Sequence, residues 1–233
     1  MKKRLIGILL TVMIIAGIVA IFTVSASAAD NCTYTFNWDI SGTQFIKDSD
    51  VGGKDLTINL NGHTWTTSEN RPSFEVTNHK SITISNGTLT FTGVPDYPIY
   101  SYGGKVTVSN VVFKDCVCSS YGLICVESKG SIESKPTVAD PSKGEIYQKY
   151  DEKASKTNGA LHLKNVRFEN CKSSKYGACV YVNSGPTDPM TLDNCQFINC
   201  SSQYGGALYF NSDYNTYNFT NCDFVNCSAS TDG

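Results

Sequence analysis

The sequence predicts an all-β protein: a right-handed parallel β-helix (solenoid) of about six coils or more, with one long charged loop insertion. Three observations lead to this prediction. A segment led by Asn recurs along the chain, apolar residues alternate with period 2, and no helical apolar period follows residue 29. The clearest copies of the segment are Asn194–Cys200 (NCQFINC) and Asn221–Cys227 (NCDFVNC). Further copies begin at Asn61, Asn86, Asn110 and Asn165.

The spacing of the six leading asparagines defines the repeat and its one interruption. Their intervals are 25, 24, 55, 29 and 27 residues. The double interval contains Ser128–Thr157, which is rich in charged residues, and removing these thirty residues leaves an interval of 25. Insertions in solenoids map to loops on one face. We therefore predict a β-helix over residues 55–233 with a loop insertion at 128–157.

Equivalent residues of successive coils are expected to stack in ladders, with Asn at the corners because Asn accepts left-handed backbone. The predicted ladder residues are Asn110, Asn165, Asn194 and Asn221, Phe113, Phe168, Phe197 and Phe224, and Cys116, Cys171, Cys200 and Cys227. A second polar column, which we interpret as stacked amides rather than a ligand groove, contains Asp115, Asn170, Asn199 and Asn226.

A glycine follows each ladder cysteine by six residues, and strands of alternating apolar residues come after Gly122, Gly177 and Gly206. Period 2 predicts that one set of these residues points inward. This set consists of Ile124, Val126, Cys179, Tyr181, Leu208 and Phe210.

The N-terminus has the features of an export signal in residues 1–29. Lys2, Lys3 and Arg4 precede the apolar stretch 5–24, and Ala26-Ser27-Ala28 supplies small residues at cleavage spacing. The same stretch is long enough to be a retained membrane anchor. Residues 30–54 form a predicted N-terminal cap region. We expect a secreted or cell-surface protein that contacts membrane only through segment 5–24.

Ten cysteines in an exported protein allow three interpretations. Residues stacked about 4.8 Å apart with parallel side chains do not meet the Cβ separation of about 3.8 Å that a disulfide needs, which favours buried thiols. Disulfides between adjacent coils and a metal site stay open. The metal site is the least favoured of the three because Cys116-Val117-Cys118 lacks zinc-finger spacing, so we predict no metal. No P-loop is present, and we predict no cofactor.

Candidate binding and catalytic residues are few. Tyrosines near the repeating glycine, and others after Phe210, are candidate glycan contacts: Tyr121, Tyr176, Tyr204, Tyr214 and Tyr217. Asp193, Asp223, Arg167, His63 and His162 lie in outward positions without acid/base pairing, so we predict no catalytic residue. The formal net charge of −2, without a basic run, excludes a strongly basic nucleic-acid binder.

The repeat resembles that of chlamydial polymorphic outer-membrane proteins and of microbial adhesin-like proteins. The residues that carry the likeness are Gly205-Gly206-Ala207-Leu208 and the Phe-x-Asn-Cys segments, whose spacing departs by one residue from that family's Phe-x-x-Asn. The opening coil, residues 56–64, resembles a first coil of pectate-lyase-like proteins. The resemblance implies a right-handed parallel β-helix.

We expect an exported, non-enzymatic module for cell-surface display or adhesion, with surface glycans or proteins of a host or neighbouring cell as partners. The alternative is a polysaccharide lyase or glycoside hydrolase on a pectate-lyase-like fold. Gly233 falls where the next glycine-rich strand would begin, and residues 228–233 provide no polar cap. We therefore expect further coils beyond this residue.

Overall fold

The computed structural model describes residues 9–15, 18–26, 31–42, 55–68, 70, 74–76, 81–127, 159–183, 190–211 and 216–233. Within these residues the chain is all-β, and parallel stacked sheets form a β-solenoid of about five turns. The predicted fold class is confirmed at this level. The described residues contain no helix with the length and apolar character needed to cross a membrane.

Twenty-two strands are described. They are β1 (Leu9–Ile15), β2 (Ile18–Ala26), β3 (Asn31–Thr35), β4 (Ile40–Ser41), β5 (Asp55–Asn59), β6 (Thr64–Thr67), β7 (Phe74–Val76), β8 (Ile82–Phe91), β9 (Ile99–Tyr102), β10 (Lys105–Lys114), β11 (Val117–Cys118), β12 (Ile124–Glu127), β13 (Ala160–Glu169), β14 (Lys172–Ser173), β15 (Val180–Asn183), β16 (Met190–Asp193), β17 (Gln196–Ile198), β18 (Ser201–Tyr204), β19 (Leu208–Phe210), β20 (Tyr217–Thr220), β21 (Asp223–Val225) and β22 (Ser228–Asp232).

Three sheets form the walls of the solenoid. The first wall has thirteen strands and contains β10 and β13, the second has the order β11-β14-β18-β22, and the third has the order β19-β15-β12-β9-β7. One complete coil therefore consists of β10, β11 and β12, and the next consists of β13, β14 and β15. Strands of adjacent coils pair in parallel, so Phe113 lies beside Phe168 and Val117 beside Lys172.

Asparagine makes the corners on either side of the Phe column. Among the described residues, the non-glycine positions with positive φ are all Asn or Asp and fall into two columns. In the first, Asn165 donates to Asn110 at 2.9 Å and Asn194 donates to Asn165 at 2.8 Å. In the second, Asn170 donates to Asp115 at 2.8 Å and Asn199 donates to Asn170 at 3.1 Å. These bonds join each coil to the next through side chains as well as backbone.

Phenylalanine forms a stacked column inside the first wall. The ring centroids of Phe113 and Phe168 are 4.7 Å apart, those of Phe168 and Phe197 are 5.1 Å apart, and those of Phe197 and Phe224 are 4.6 Å apart. Phe113, Phe168 and Phe197 are fully buried. Phe224 differs from the expectation of a core residue because it is 49% exposed in the last described coil, where no further coil covers its outer ring face.

The ladder cysteines lie just behind the second Asn column. Cys116, Cys171 and Cys200 are fully buried, whereas Cys227 is half-buried in the last described coil. Each thiol is near backbone carbonyls of its own and the preceding coil, as in Cys171 Sγ to Phe113 O at 3.7 Å. A buried S–H group with such acceptors is a small apolar residue with a weak donor.

The predicted inward set of the third wall is wrong at one position. Strand pairing puts Val180 beside Ile124 and Tyr181 beside Cys125. Tyr181 therefore lies on the outer side and Val180 on the inner side, while Cys179, just before the strand, is fully buried as predicted. Two residues separate Gly177 from the third-wall strand β15, whereas one residue separates Gly122 from β12 and Gly206 from β19. The extra residue shifts the alternation of inward and outward side chains by one.

The coil passes from the third wall back to the first by two different routes. Between β9 and β10 the connection is Gly103-Gly104. One coil later the chain leaves the described part after Glu127 and returns at Gly159. Gly103 N donates to Glu127 O at 2.6 Å, and Ala160 N donates to Gly104 O at 3.3 Å. The two ends of the long connection therefore lie directly against the short one.

Several predicted segments fall outside the described residues. The loop insertion 128–157 and Tyr214 lie there, as does part of the predicted cap region 30–54. In the predicted leader, β1 and β2 pair antiparallel, and β2 also pairs antiparallel with β3. The export signal at residues 1–29 and the alternative anchor at 5–24 stay predictions.

Candidate functional site

The outer side of the third wall carries a column of tyrosines. Tyr100, Cys125, Tyr181 and Tyr209 occupy the same outward position in four successive strands, because the pairing register aligns them. The rings of Tyr181 and Tyr209 stack with centroids 5.9 Å apart at 12°. Side chains on the outer side of a strand alternate with core residues such as Val180 and Val182, which are fully buried.

A second column of tyrosines lies at the corner that precedes the third wall. The centroid of Tyr121 is 6.0 Å from that of Tyr97 and 5.9 Å from that of Tyr176, and Tyr176 stacks on Tyr204 at 5.5 Å. Backbone pairing of Tyr176 with Tyr204 continues the wall into this corner. Three of the predicted glycan contacts, Tyr121, Tyr176 and Tyr204, therefore lie together.

We call the column on the third wall the inner column and the column at the corner the outer column. Contacts between the two columns join them into one surface. Tyr97 packs on Tyr100 at 4.6 Å, Tyr121 packs on Tyr181 at 4.8 Å, and Tyr176 packs on Tyr209 at 4.8 Å. We call this surface the tyrosine face. Its members are Tyr97, Tyr100, Tyr121, Tyr176, Tyr181, Tyr204 and Tyr209.

The stacking determines which parts of the tyrosines a ligand can meet. Tyr121 and Tyr176 lie 17° from parallel, so each covers a ring face of the other. The ring faces that Tyr121 and Tyr176 turn toward each other are therefore closed to a sugar. A ligand meets ring edges, which carry positive partial charge, and phenol hydroxyls, which donate and accept hydrogen bonds.

Burial and the Glu127 carboxylate raise the pKa of two tyrosines, Tyr100 and Tyr181. Burial raises the pKa of Tyr100, and its hydrogen bond to Glu127, with the hydroxyl 2.9 Å from Oε2, raises the pKa further. Burial also raises the pKa of Tyr181, which is 6% exposed. A cation adjoins the outer column, since Lys175 Nζ lies 4.9 Å from the centroid of the Tyr176 ring. The tyrosine face thus combines O–H donors with charges of both signs.

Cys125 replaces tyrosine at one position of the inner column and is covered by the surface around it. It faces outward in the strand register, yet it is fully buried. Burial raises its pKa well above the ordinary value.

Four members of the tyrosine face were not predicted. Tyr97 and Tyr100 belong to a coil without a ladder cysteine, so the spacing from Cys to Gly did not identify them. The alternation predicts that Tyr181 points inward, and it gives no functional role to Tyr209, which lies between the inward residues Leu208 and Phe210. The signal that would find them is the recurrence of Tyr between inward positions of successive third-wall strands.

Tyr217 does not belong to the tyrosine face. It pairs with Met190, which is fully buried, and its ring packs on Phe210 with centroids 4.5 Å apart. Its inward position follows from the register, and its hydroxyl is a buried group without a hydrogen-bond partner. Tyr217 is therefore removed from the candidate glycan contacts.

A polar row crosses the outer side of the first wall. Arg167 Nε lies 3.2 Å from Glu169 Oε2, and Arg167 Nη1 donates to Gln196 Oε1 at 3.0 Å. Gln196 donates in turn to Asp223 Oδ2 at 3.5 Å. The guanidinium already has two partners, and the Arg167 side chain is 42% exposed. Acidic and basic groups thus meet on an open sheet surface.

The remaining candidates lie apart from this row. Asp193 pairs in register with Lys164 and Thr220. His63 Nδ1 is 3.5 Å from Asp39 Oδ1. His162 Nδ1 is 2.7 Å from Thr191 Oγ1.

No protein-family model, curated protein or solved structure matches this chain. The parallel β-solenoid is shown by its structure, whereas the likeness to chlamydial and pectate-lyase-like repeats rests on the sequence motifs alone.

Proposed function

We propose that the chain is an exported, non-enzymatic β-solenoid module for cell-surface display or adhesion, and that its tyrosine face binds surface glycans. The observation that carries the proposal is the tyrosine face itself, with seven tyrosines in two columns across four coils. We further propose right-handed coiling and a secreted or cell-surface location, on the basis of the repeat motifs and residues 1–29.

Glycans suit the chemistry of this surface. Phenol hydroxyls and electropositive ring edges favour a ligand rich in oxygen atoms, and sugars present hydroxyls that both donate and accept. Tyrosine also loses little conformational entropy when it binds, because its ring is already held by its neighbours. Weak contacts repeated from coil to coil add together when the ligand is a polymer. An extended polysaccharide therefore gains more from this surface than a single sugar.

Glycan-array binding of the full chain tests the proposal. We expect binding to one or more polysaccharides, and Tyr176→Ser should weaken it about tenfold, which corresponds to about 1.4 kcal/mol. Tyr176→Phe keeps the stacked ring and removes the hydroxyl, so a similar loss would assign the contact to the O–H group. Trp38→Ala is the matched control because Trp38 is an aromatic residue of 36% exposure outside the tyrosine face. Equal loss in Tyr176→Ser and Trp38→Ala, or no binding to any glycan, contradicts the proposal.

A second candidate, a polysaccharide lyase or glycoside hydrolase, is favoured only by the polar row of Arg167, Glu169 and Asp223. Such enzymes need paired carboxylates or a basic residue that takes a proton. Incubation with pectic and other uronic-acid polymers, with and without calcium, tests it. Product that disappears in Arg167→Gln or Asp223→Asn would establish the enzyme and overturn the proposal of a non-enzymatic module.

A further inference from the structure

Three cysteines meet inside the solenoid between two adjacent coils. The sulfur atoms of Cys171, Cys179 and Cys200 all lie within 4.8 Å of one another. The nearest pair is Cys179 and Cys200, whose Sγ atoms are 3.3 Å apart. All three residues are fully buried. Cys171 and Cys200 belong to the cysteine ladder, whereas Cys179 does not.

The direction of approach separates Cys179 from the stacked cysteines. Cys171 and Cys200 precede the second-wall strands β14 and β18 and occupy equivalent corners of adjacent coils. Equivalent residues have parallel side chains about 4.8 Å apart, which disfavours a bond between them. Cys179 instead precedes the third-wall strand β15, at the opposite end of the short second wall. Its side chain meets that of Cys200 across the core.

The surroundings of the sulfurs suit neutral groups. Cys200 Sγ is 3.5 Å from Ile198 O and 3.8 Å from Phe168 O, and Cys171 Sγ is 3.6 Å from Glu169 O. Carbonyl oxygens accept hydrogen bonds from thiols and repel thiolates. A metal site would need all three cysteines as thiolates, which would place three negative charges in this apolar interior. A thiol or a disulfide has no charge to bury.

We propose that Cys179 and Cys200 form a disulfide that joins adjacent coils, while Cys171 beside them stays a thiol. An external disulfide, carried by a small molecule or an oxidoreductase, is the oxidant. The Cys179 and Cys200 thiols lose two protons and two electrons as their S–S bond forms, and the oxidant is reduced to two thiols. Because both sulfurs are fully buried, the exchange takes place before the two coils close. An oxidising compartment would supply such oxidants, and this point depends on the proposed export.

The chain offers a direct test, because cyanogen bromide cleaves after Met190, between the two cysteines. The full chain is refolded with a mixture of reduced and oxidised glutathione, alkylated while unfolded and unreduced, and then cleaved. We expect the fragments on either side of Met190 to stay joined on a non-reducing gel and to separate when reductant is added. Cys179→Ala and Cys200→Ala should each release them. Cys171→Ala and Cys195→Ala should leave them joined.

Thermal melting supplies a second readout. Closing a loop of this length stabilises a protein enough to raise Tm by roughly 6 to 12 °C, so reductant should lower the wild-type Tm by that amount. Reductant should have no such effect on Cys179→Ala, whereas it should still lower the Tm of Cys195→Ala. The proposal fails if the fragments separate without reductant, if Cys171→Ala releases them, or if the refolded chain retains zinc or copper bound through the three sulfurs.

Discussion

At the residue scale, Asn serves two purposes at one position. Asn165 has φ 53°, a conformation that costs most L-residues about 1–2 kcal/mol, and its side chain continues the ladder between Asn110 and Asn194. Asn is the residue that both tolerates this backbone and carries an amide with a donor and an acceptor. A sequence period of Asn therefore predicts corners and ladders together.

We expect Asn165→Ala to lower the free energy of unfolding by about 2 kcal/mol and Asn165→Gly by about 1 kcal/mol. Both variants lose the two ladder hydrogen bonds, but only alanine adds backbone strain. Urea unfolding of the two variants measures the difference. Equal losses would mean that the left-handed backbone contributes nothing to the preference for Asn.

Buried thiols make the solenoid sensitive to alkaline pH. Burial raises the pKa of Cys118 from 9.0 to about 12, with a smaller opposing contribution from Ser173. The folded state therefore holds a proton that the unfolded chain releases above pH 9. The stabilisation is complete below pH 9 and is lost as pH rises toward 12.

The loss of stability in Cys118→Ala, relative to wild type, should accordingly be smaller at pH 10 than at pH 7.5 by about 1.4 kcal/mol. Urea unfolding at the two pH values, with reductant present, measures this. Thr107→Ala, which removes a non-titrating outward side chain from β10, should show the same loss at both. A pH-independent loss for Cys118→Ala would contradict the raised pKa.

At the element scale, Gly122, which follows the ladder residue Cys116, allows two coils to approach. Gly122 has ordinary backbone torsions, yet a Cβ atom there would collide with the Gly177 carbonyl and the backbone of Val180. Neither neighbour is a flexible side chain. The requirement for glycine is therefore the close contact with the coil above, not a special conformation.

Gly122→Ala should destabilise the fold by about 3 kcal/mol or more, because the coils must move apart. Gly159→Ala is a suitable comparison, since its Cβ would lie 3.2 Å from the side-chain atom Cγ1 of Val126 and would not collide with backbone. It should cost about 1 kcal/mol or less. Thermal melts of the two variants distinguish them, and equal effects would show that the coil contact at Gly122 can relax.

The sequence period suffices for the corners and the Phe column, but not for the third wall. Asn110, Asn165 and Asn194 lead recognisable segments, so their stacking follows from spacing alone. The third-wall strands have no such marker, and one extra residue after Gly177 exchanges the places of Val180 and Tyr181. Only pairing with the neighbouring strand fixes this register. The sequence therefore predicts three members of the tyrosine face, Tyr121, Tyr176 and Tyr204, and misses the others.

At the scale of the whole molecule, the last described coil exposes apolar side chains. In the last described coil, Phe219 is 44% exposed and Phe224 is 49% exposed, although both continue inward columns. The strands of this coil, β20, β21 and β22, have a neighbouring strand on one side. Unpaired strand edges beside apolar rings promote association.

We expect the 233-residue chain to self-associate through this coil at high concentration. Phe224→Lys should shift sedimentation toward the monomer, because a charge on the stacking surface opposes pairing. Val94→Lys changes an equally exposed apolar residue, 50% exposed, away from the end and should leave association unchanged. A wild-type chain that is monomeric throughout would refute this.

The long connection leaves the solenoid after Glu127 and returns at Gly159, and both ends lie against the short connection Gly103-Gly104. The molecule can therefore accept foreign sequence at this point. The glycine pair Gly103-Gly104 already makes the same return one coil earlier, so two glycines should replace residues 128–159 without loss of the fold, as circular dichroism and melting would show. If the shortened chain aggregates or melts early, the scaffold depends on the segment it lost. If it folds, evolution can lengthen, exchange or delete that segment while the coils stay constant. An epitope can then be grafted at the same point by design.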